Sequence, residues 1–156
     1  MAAYRAAFRP SVRLTRPYVM VSADVVVAPD DATAQRLAAG YGPWVHSIRS
    51  GAGAIPFPDE AAAAAHPWTE ADRELVRDRV RTQFVGSPAT VVDRLTALRA
   101  VTGADELLVT TITHRHEDRV ASHALLAQEW AARHRESAGR AGVVATGTTP
   151  RGGARG

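Results

Sequence analysis

Residues 103–119, GADELLVTTITHRHEDR, place a short apolar run between a glycine and a group of charged side chains. Gly103 can end a helix, and residues 107–113 have the composition of a strand. The acidic residues at the end of this stretch are favourable in the first turn of a helix. We expect that helix to end near Arg135. The histidines of this stretch therefore follow the carboxyl end of a strand. They belong either to an active site or only to the start of a surface helix.

A second strand is predicted upstream, where the valine-rich residues 18–28 lie next to two prolines. Alternate residues of this run form one wholly apolar face. The other face carries Ser22 and Asp24 among apolar neighbours, and we expect it to be largely buried as well. A strand that is apolar on both faces is typical of the centre of a parallel sheet covered by helices.

Helical patterns separate the two strands and follow the second, and this order is typical of an α/β fold. Residues 42–68 contain several glycines and prolines without a sustained period, which predicts an irregular lid or wall. Residues 137–156 are rich in Gly, Arg and Thr and have almost no large apolar side chain, so we expect them to be disordered. The folded domain is therefore predicted to span residues 1–136.

Composition excludes several classes of protein. The chain of 156 residues has no cysteine, which excludes disulfides and thiolate zinc sites. It has no apolar run long enough for a membrane span or for the core of a secretory signal, so we expect a cytoplasmic protein. All 19 basic residues are arginine, but the net charge is only +3 and the signs are interspersed. Without a clustered basic face, nucleic-acid binding is not expected.

Three segments of the sequence, in order, resemble the C-terminal third of the bacterial-luciferase-like flavin-dependent monooxygenases. They are YRAAFRPS…RPYVMVSADVVVAPDD, FVGSPATVVDRL and TGADELLVTTITHRHEDRVASHALLAQEW. The resemblance runs from about Tyr4 to Trp130. It implies part of a (β/α)8 barrel, with residues 18–28 and 107–113 as parallel strands seven and eight and the N-terminal barrel half absent.

The same resemblance implies the chemistry. Reduced FMN, or a deazaflavin, would lie at the carboxyl ends of the strands and meet O2 and a small organic substrate there. The reducing equivalents would come from a separate flavin reductase or from bound cofactor. The residues that hold the flavin phosphate in this family would lie largely in the absent part, so none of them can be assigned here.

Six residues are candidates for the site, and each has a structural alternative. His114, His116 and Thr113 are candidate catalytic residues because barrel chemistry is built at the carboxyl ends of strands and histidine transfers protons near neutral pH. The candidate cofactor contacts are Thr111, Ser22 and Asp24. Structurally, the two histidines could be loop residues in contact with solvent, and the threonines could reflect only the strand propensity of β-branched residues. Asp24 could be paired with other residues for stability alone. A metal site is not expected, because histidines two apart at a strand end point in different directions.

A complete barrel needs about 250 residues, more than this chain has. The chain could be a truncated reading frame, which we favour, or a real fragment that complements another chain. Open strand edges and a wet inner face would make the isolated chain marginally stable, oligomeric or prone to aggregate. Two other functions stay open: a non-catalytic interaction module that docks onto a barrel half, and a small two-strand α/β ligand-binding dimer.

Overall fold

A parallel sheet of three strands, in the order β2-β1-β3, organises the computed structural model. The structure describes the backbone of residues 1–145 and the side chains of residues 1–135. β1 (Met20–Val27) is central, β2 (Phe84–Gly86) pairs along its carboxyl half and β3 (Glu106–Thr110) along its amino half. The α/β class with parallel strands is thus confirmed.

Seven helices are present in the described part of the chain. They are α1 (Ala2–Ala7), α2 (Asp31–Ala38), α3 (Tyr41–Arg49), α4 (Glu60–Ala64), α5 (Glu70–Thr82), α6 (Pro88–Thr102) and α7 (His116–Ala145). Local chemistry explains where several of them begin and end. Ser87 caps the amino end of α6, whose first residue is Pro88. Thr69 forms a capping box with Asp72 at the start of α5. Gly103 ends α6 in the left-handed conformation, with φ of 61°.

One face of the sheet is covered by helices. Ala23, Val25 and Val27 point from β1 into the main core, where they pack against α6 and α7. The buried partners from those helices are Val91, Val92, Leu95 and Leu126. The odd-numbered residues of β1 therefore form the helix-covered face, which in a barrel would be the outer face.

The opposite face of the sheet is largely uncovered. Met20 and Leu108 are 51% and 49% exposed, and Ser22 and Thr110 are exposed beside them. Together with Asp24 they form what we call the open face. Toward the carboxyl end of β1 this side is closed, because Val26 is buried under α2. The prediction that this face is largely buried is wrong for its amino half, over which the described residues supply no layer.

The strands differ from the predicted ones in number and length. β3 ends at Thr110, so the strand predicted to reach residue 113 stops earlier, and β1 is shorter than residues 18–28. The short β2 was not predicted, because three residues are too few to show an alternating pattern. The sheet consequently has three strands where two were expected.

The helices differ from the prediction in two regions. The segment 42–68 includes most of α3 and all of α4, so the expectation that it is irregular is wrong there; Pro43 is accommodated in the first turn of α3. α7 continues to Ala145 rather than ending near Arg135, so residues 137–145 of the segment predicted to be disordered are helical. The rest of the predicted disordered segment, residues 146–156, lies outside the described residues. No helix in the described range has the length and hydropathy that a membrane span requires.

Candidate active site

Four polar side chains meet on the open face toward the carboxyl end of the sheet. The Asp24 carboxylate accepts hydrogen bonds from the Tyr41 hydroxyl at 2.6 Å and from Arg79 Nη2 at 2.7 Å. It also accepts from the Thr110 hydroxyl at 2.6 Å, and Arg79 Nη2 lies 3.0 Å from the Tyr41 oxygen. We call these residues the Asp24 cluster. It joins β1, β3, α3 and α5 through one carboxylate.

The sheet register and two helices bring these residues together. The parallel register places Asp24 opposite Thr110 on the neighbouring strand. Tyr41 comes from the first residue of α3 and is only 2% exposed, because its ring packs with Val45 and Val76. Arg79 extends from α5, and its side chain is 47% exposed. The cluster therefore combines a buried phenol with a cation that solvent or a ligand can reach.

The charges of the cluster follow from these contacts. Burial raises the pKa of Tyr41 to about 12, helped by its hydrogen bond to Asp24 and opposed by Arg79. At neutral pH the phenol is therefore neutral. Three of the roughly four acceptor positions of the carboxylate already have donors. Asp24 is thus suited to holding Tyr41 and Arg79 in place rather than to acting as a free base.

The raised pKa of Tyr41 makes a prediction for alkaline solution. An unfolded tyrosine ionises near pH 10, whereas the pKa of folded Tyr41 is about 12. The stabilisation linked to this group is therefore complete below pH 10 and should be lost as the pH rises from 10 to 12. Chemical denaturation at several pH values measures it, and Tyr41→Phe should remove this part of the alkaline loss. An equal loss in Tyr41→Phe would contradict the assignment.

The predicted catalytic residues make local contacts instead of joining the Asp24 cluster. His114 Nδ1 donates to the Phe57 carbonyl at 2.8 Å and so links the 42–68 segment to the turn after β3. His116 Nδ1 accepts from Arg119 at 2.7 Å within the first turn of α7. The Thr113 hydroxyl donates to the Arg115 carbonyl at 2.8 Å. These contacts explain the conformation of the turn, and a catalytic role for the three residues stays a prediction.

The predicted cofactor contacts fall into different environments. Ser22 is exposed on the open face, two residues before Asp24. The Thr111 hydroxyl is buried and has no hydrogen-bond partner among the described residues. The strand predicted over residues 107–113 would place Thr111 and Thr113 on one face, which is wrong because β3 ends before them. Thr110, rather than either of them, reaches Asp24.

The sequence did not indicate Tyr41 or Arg79 as site residues. Tyr41 follows Leu37 and Ala38 at helical spacing, which predicts that it belongs to the apolar face of their helix, but it begins a new helix instead. The only available signal was that a buried aspartate needs partners, and nothing in the pattern selects one arginine out of nineteen basic residues.

A phosphate group does not fit at the amino end of α6, although Gly86 and Ser87 ahead of a helix could suggest an anion site there. Asp31 Oδ1 accepts from the backbone N–H of Ser87 at 2.6 Å, so a carboxylate already lies at the amino end of α6. The open face fits a flat ring with polar edges better than it fits a phosphate group. Met20 and Leu108 offer apolar area for the ring, and the Ser22 hydroxyl beside them can hydrogen-bond its edge. Among the described residues, no group of three His, Asp or Glu side chains is arranged to hold a metal ion.

Comparisons with known proteins give sequence relatives but no match to a family model. The uncharacterised proteins YvbT and YceB of Bacillus subtilis (strain 168) are 30% and 29% identical over 128 and 126 residues. A luciferase-like monooxygenase of Escherichia coli (strain K12) is 28% identical over 123 residues. These alignments cover 81%, 80% and 78% of this chain, but only 38%, 38% and 36% of the relatives.

A solved structure shows the same partial coverage. The crystal structure of apo-MsnO8 superimposes with a TM-score of 0.71 and 31% identity, over 83% of this chain and 39% of that chain. In MsnO8 the matched region is therefore part of a longer polypeptide. Over about four-fifths of its length, this chain is similar to proteins that include a luciferase-like monooxygenase, and it spans less than two-fifths of the proteins it matches.

Proposed function

We propose that this chain is the C-terminal part of a luciferase-like flavin-dependent monooxygenase, which uses reduced flavin and O2 on a small organic substrate. The similarity to a luciferase-like monooxygenase over 123 residues carries the proposal. A parallel sheet with a polar cluster on its open face supports it. The bound flavin would supply the electrons for oxygen chemistry, and the protein would position the reactants and exclude water.

On this proposal β1 and β3 are neighbouring barrel strands, seven and eight, and the open face lines the barrel interior. Ser22 would hydrogen-bond a polar edge of the flavin ring, which FMN and a deazaflavin share. The Thr111 hydroxyl is enclosed, so it would contact the flavin only if the turn after β3 moved. Asp24 would orient Tyr41 and Arg79. The exposed guanidinium of Arg79 would then stabilise negative charge on the ring or the substrate. The flavin phosphate would be held by residues outside this chain.

The residues of the turn after β3 would act on the substrate side of the site. His114 and His116 would donate or accept protons near neutral pH, and Thr113 would hydrogen-bond the substrate. His114 would also keep the 42–68 segment near the mouth, through its hydrogen bond to Phe57. A separate flavin reductase would supply reduced flavin, and the chain would work as an oligomer or together with residues that supply the other barrel strands.

Flavin titration tests this proposal. The chain is titrated anaerobically with oxidised and photoreduced FMN, alone and mixed with the protein encoded directly upstream, and binding is followed by flavin absorbance and fluorescence. We expect binding in at least the mixture. Arg79→Gln should weaken it about tenfold, as expected for the loss of one charged hydrogen bond.

The matched control is Arg13→Gln, which makes the same charge change at an exposed residue outside the Asp24 cluster. It should leave FMN affinity unchanged. Failure of every sample to bind FMN would contradict the proposal. Equal losses in Arg79→Gln and Arg13→Gln would contradict the role given to the Asp24 cluster.

The alternative function, a non-catalytic interaction module, is favoured by the uncovered open face and by the outer edges of β2 and β3. Neither outer edge is paired with another strand within the described residues. A module of this kind would form a defined complex with the upstream protein in light scattering after gel filtration, yet would not bind FMN in that complex. That combination of results would replace the enzyme proposal.

A further inference from the structure

We propose a second binding site, for a small organic anion with a flat apolar body, in a groove on the α5 side of the molecule. The groove has a volume of about 620 Å³ and lies between α5, the end of α2 and the start of α3. The lining of the groove includes Trp68, Arg77, Val80, Arg81, Gln83 and Arg94. It shares Tyr41 with the Asp24 cluster, but the other cluster residues do not line it.

Positive charge predominates in this groove. Arg73, Arg77 and Arg81 follow one another at four-residue spacing on α5, so they form one row along the helix. Arg94 of α6 adds a fourth guanidinium, against only two glutamates in the lining. The groove as a whole therefore attracts an anion.

The arginines differ in how far they are already engaged. Arg77 pairs with Glu74 at 2.8 Å, and Arg73 lies 5.7 Å from the centre of the Trp68 ring. Arg94 donates to the Gln83 carbonyl at 3.0 Å. Arg81 lines the groove and has no ion-pair or hydrogen-bond partner in the described part of the chain. The strongest uncompensated donor is thus at the Arg81 end of the groove, where a phosphate or carboxylate could be held by two N–H groups.

A polar side chain without a protein partner lies at the same end of the groove. Gln83 lines the groove and is only 7% exposed as a whole residue, and its side-chain amide makes no hydrogen bond to any described residue. The amide is not among the fully enclosed unpartnered polar atoms, so solvent or a ligand can reach it. A polar group on a bound molecule could hydrogen-bond this amide, and Arg81 is only two residues away in the chain.

The remaining wall of the groove is apolar and partly flat. The indole of Trp68 lies against Gly42, where an added Cβ would come within 3.1 Å of the ring. Val80 and Pro43 extend this wall. A planar hydrocarbon body would therefore pack beside the indole while its charged group meets Arg81. An inorganic ion alone would leave the apolar wall of the groove in contact with water.

Calorimetric titration with phenyl phosphate, benzoate and inorganic phosphate tests the inference, in buffer of low ionic strength. Phenyl phosphate should bind, and Arg81→Gln should weaken it about tenfold through loss of a charge-assisted pair. Gln83→Leu keeps the volume and removes the amide, so it should weaken binding about fivefold. Benzoate carries a carboxylate where phenyl phosphate carries a phosphate. Binding of either compound supports the site, and the ratio of their affinities identifies the preferred anionic group.

Arg13→Gln is again the matched control, because it removes one positive charge away from the groove, and it should bind phenyl phosphate normally. Melting temperatures of all variants show that the fold is kept, and Arg81→Lys should retain part of the affinity. Three results would overturn the inference: no binding of either aromatic anion, inorganic phosphate binding as tightly as phenyl phosphate, or Arg81→Gln behaving like Arg13→Gln. The test does not depend on FMN binding, so it fails or succeeds separately from the proposed function.

Discussion

Replacing Asp24 with alanine should lower the free energy of unfolding by about 2 kcal/mol, mainly through Tyr41. The Tyr41 hydroxyl is buried and donates to Asp24 at 2.6 Å, so the substitution leaves its proton without an acceptor. Arg79 cannot replace the carboxylate, since a guanidinium only donates. Arg79 and Thr110 are themselves exposed enough for water to take over their lost bonds.

A double substitution separates this mechanism from simple loss of a charge. Asp24→Ala with Tyr41→Phe should recover about half of the lost stability, because removing both partners of a buried hydrogen bond costs less than removing one. Urea denaturation of the single and double variants measures the difference. Asp93→Ala is the control: its ion pair with Arg133 lies at the surface and should contribute at most about 1 kcal/mol. A double variant no more stable than Asp24→Ala would show that Tyr41 is not the source of the loss.

Features set by neighbouring residues in the chain could be predicted from the sequence. Ser87 with Pro88 begins α6, Gly103 ends it, and Thr69 with Asp72 begins α5, as expected from capping chemistry. Each of these capping patterns involves only a few consecutive residues, so the position of the helix end does not depend on long-range contacts. The apolar face that packs against α6 and α7 was also predictable, because alternation marks it along β1.

Features set by distant residues could not be predicted in the same way. The Asp24 cluster joins residues 17, 55 and 86 positions apart from Asp24, and no local pattern indicates which hydroxyl or cation will meet a carboxylate at that range. The open face was misjudged for a related reason. Met20 and Leu108 have the apolar character of buried residues, but whether anything covers them depends on chain outside the described sheet.

The two faces of the sheet should respond very differently to the same substitution. Leu95→Ala should destabilise the protein by about 3 kcal/mol, because it removes a side chain from the packed core and leaves a cavity. Leu95 is 1% exposed, among Val25, Val91 and Leu126. Leu108→Ala makes the same chemical change on the open face, where the side chain is half exposed, and should cost less than about 0.5 kcal/mol.

Denaturation of both variants over a range of protein concentrations decides whether the open face is free in solution. If Leu108→Ala matches the wild type at every concentration, nothing packs on that face in the isolated chain. If it costs as much as Leu95→Ala, another copy covers the face, and the effect should then disappear on dilution. A large loss that does not depend on concentration would contradict the described fold itself, because the side chain would have to be buried within the single chain. The same Leu-to-Ala change thus tests both the position of the core and the side from which a barrel would be completed.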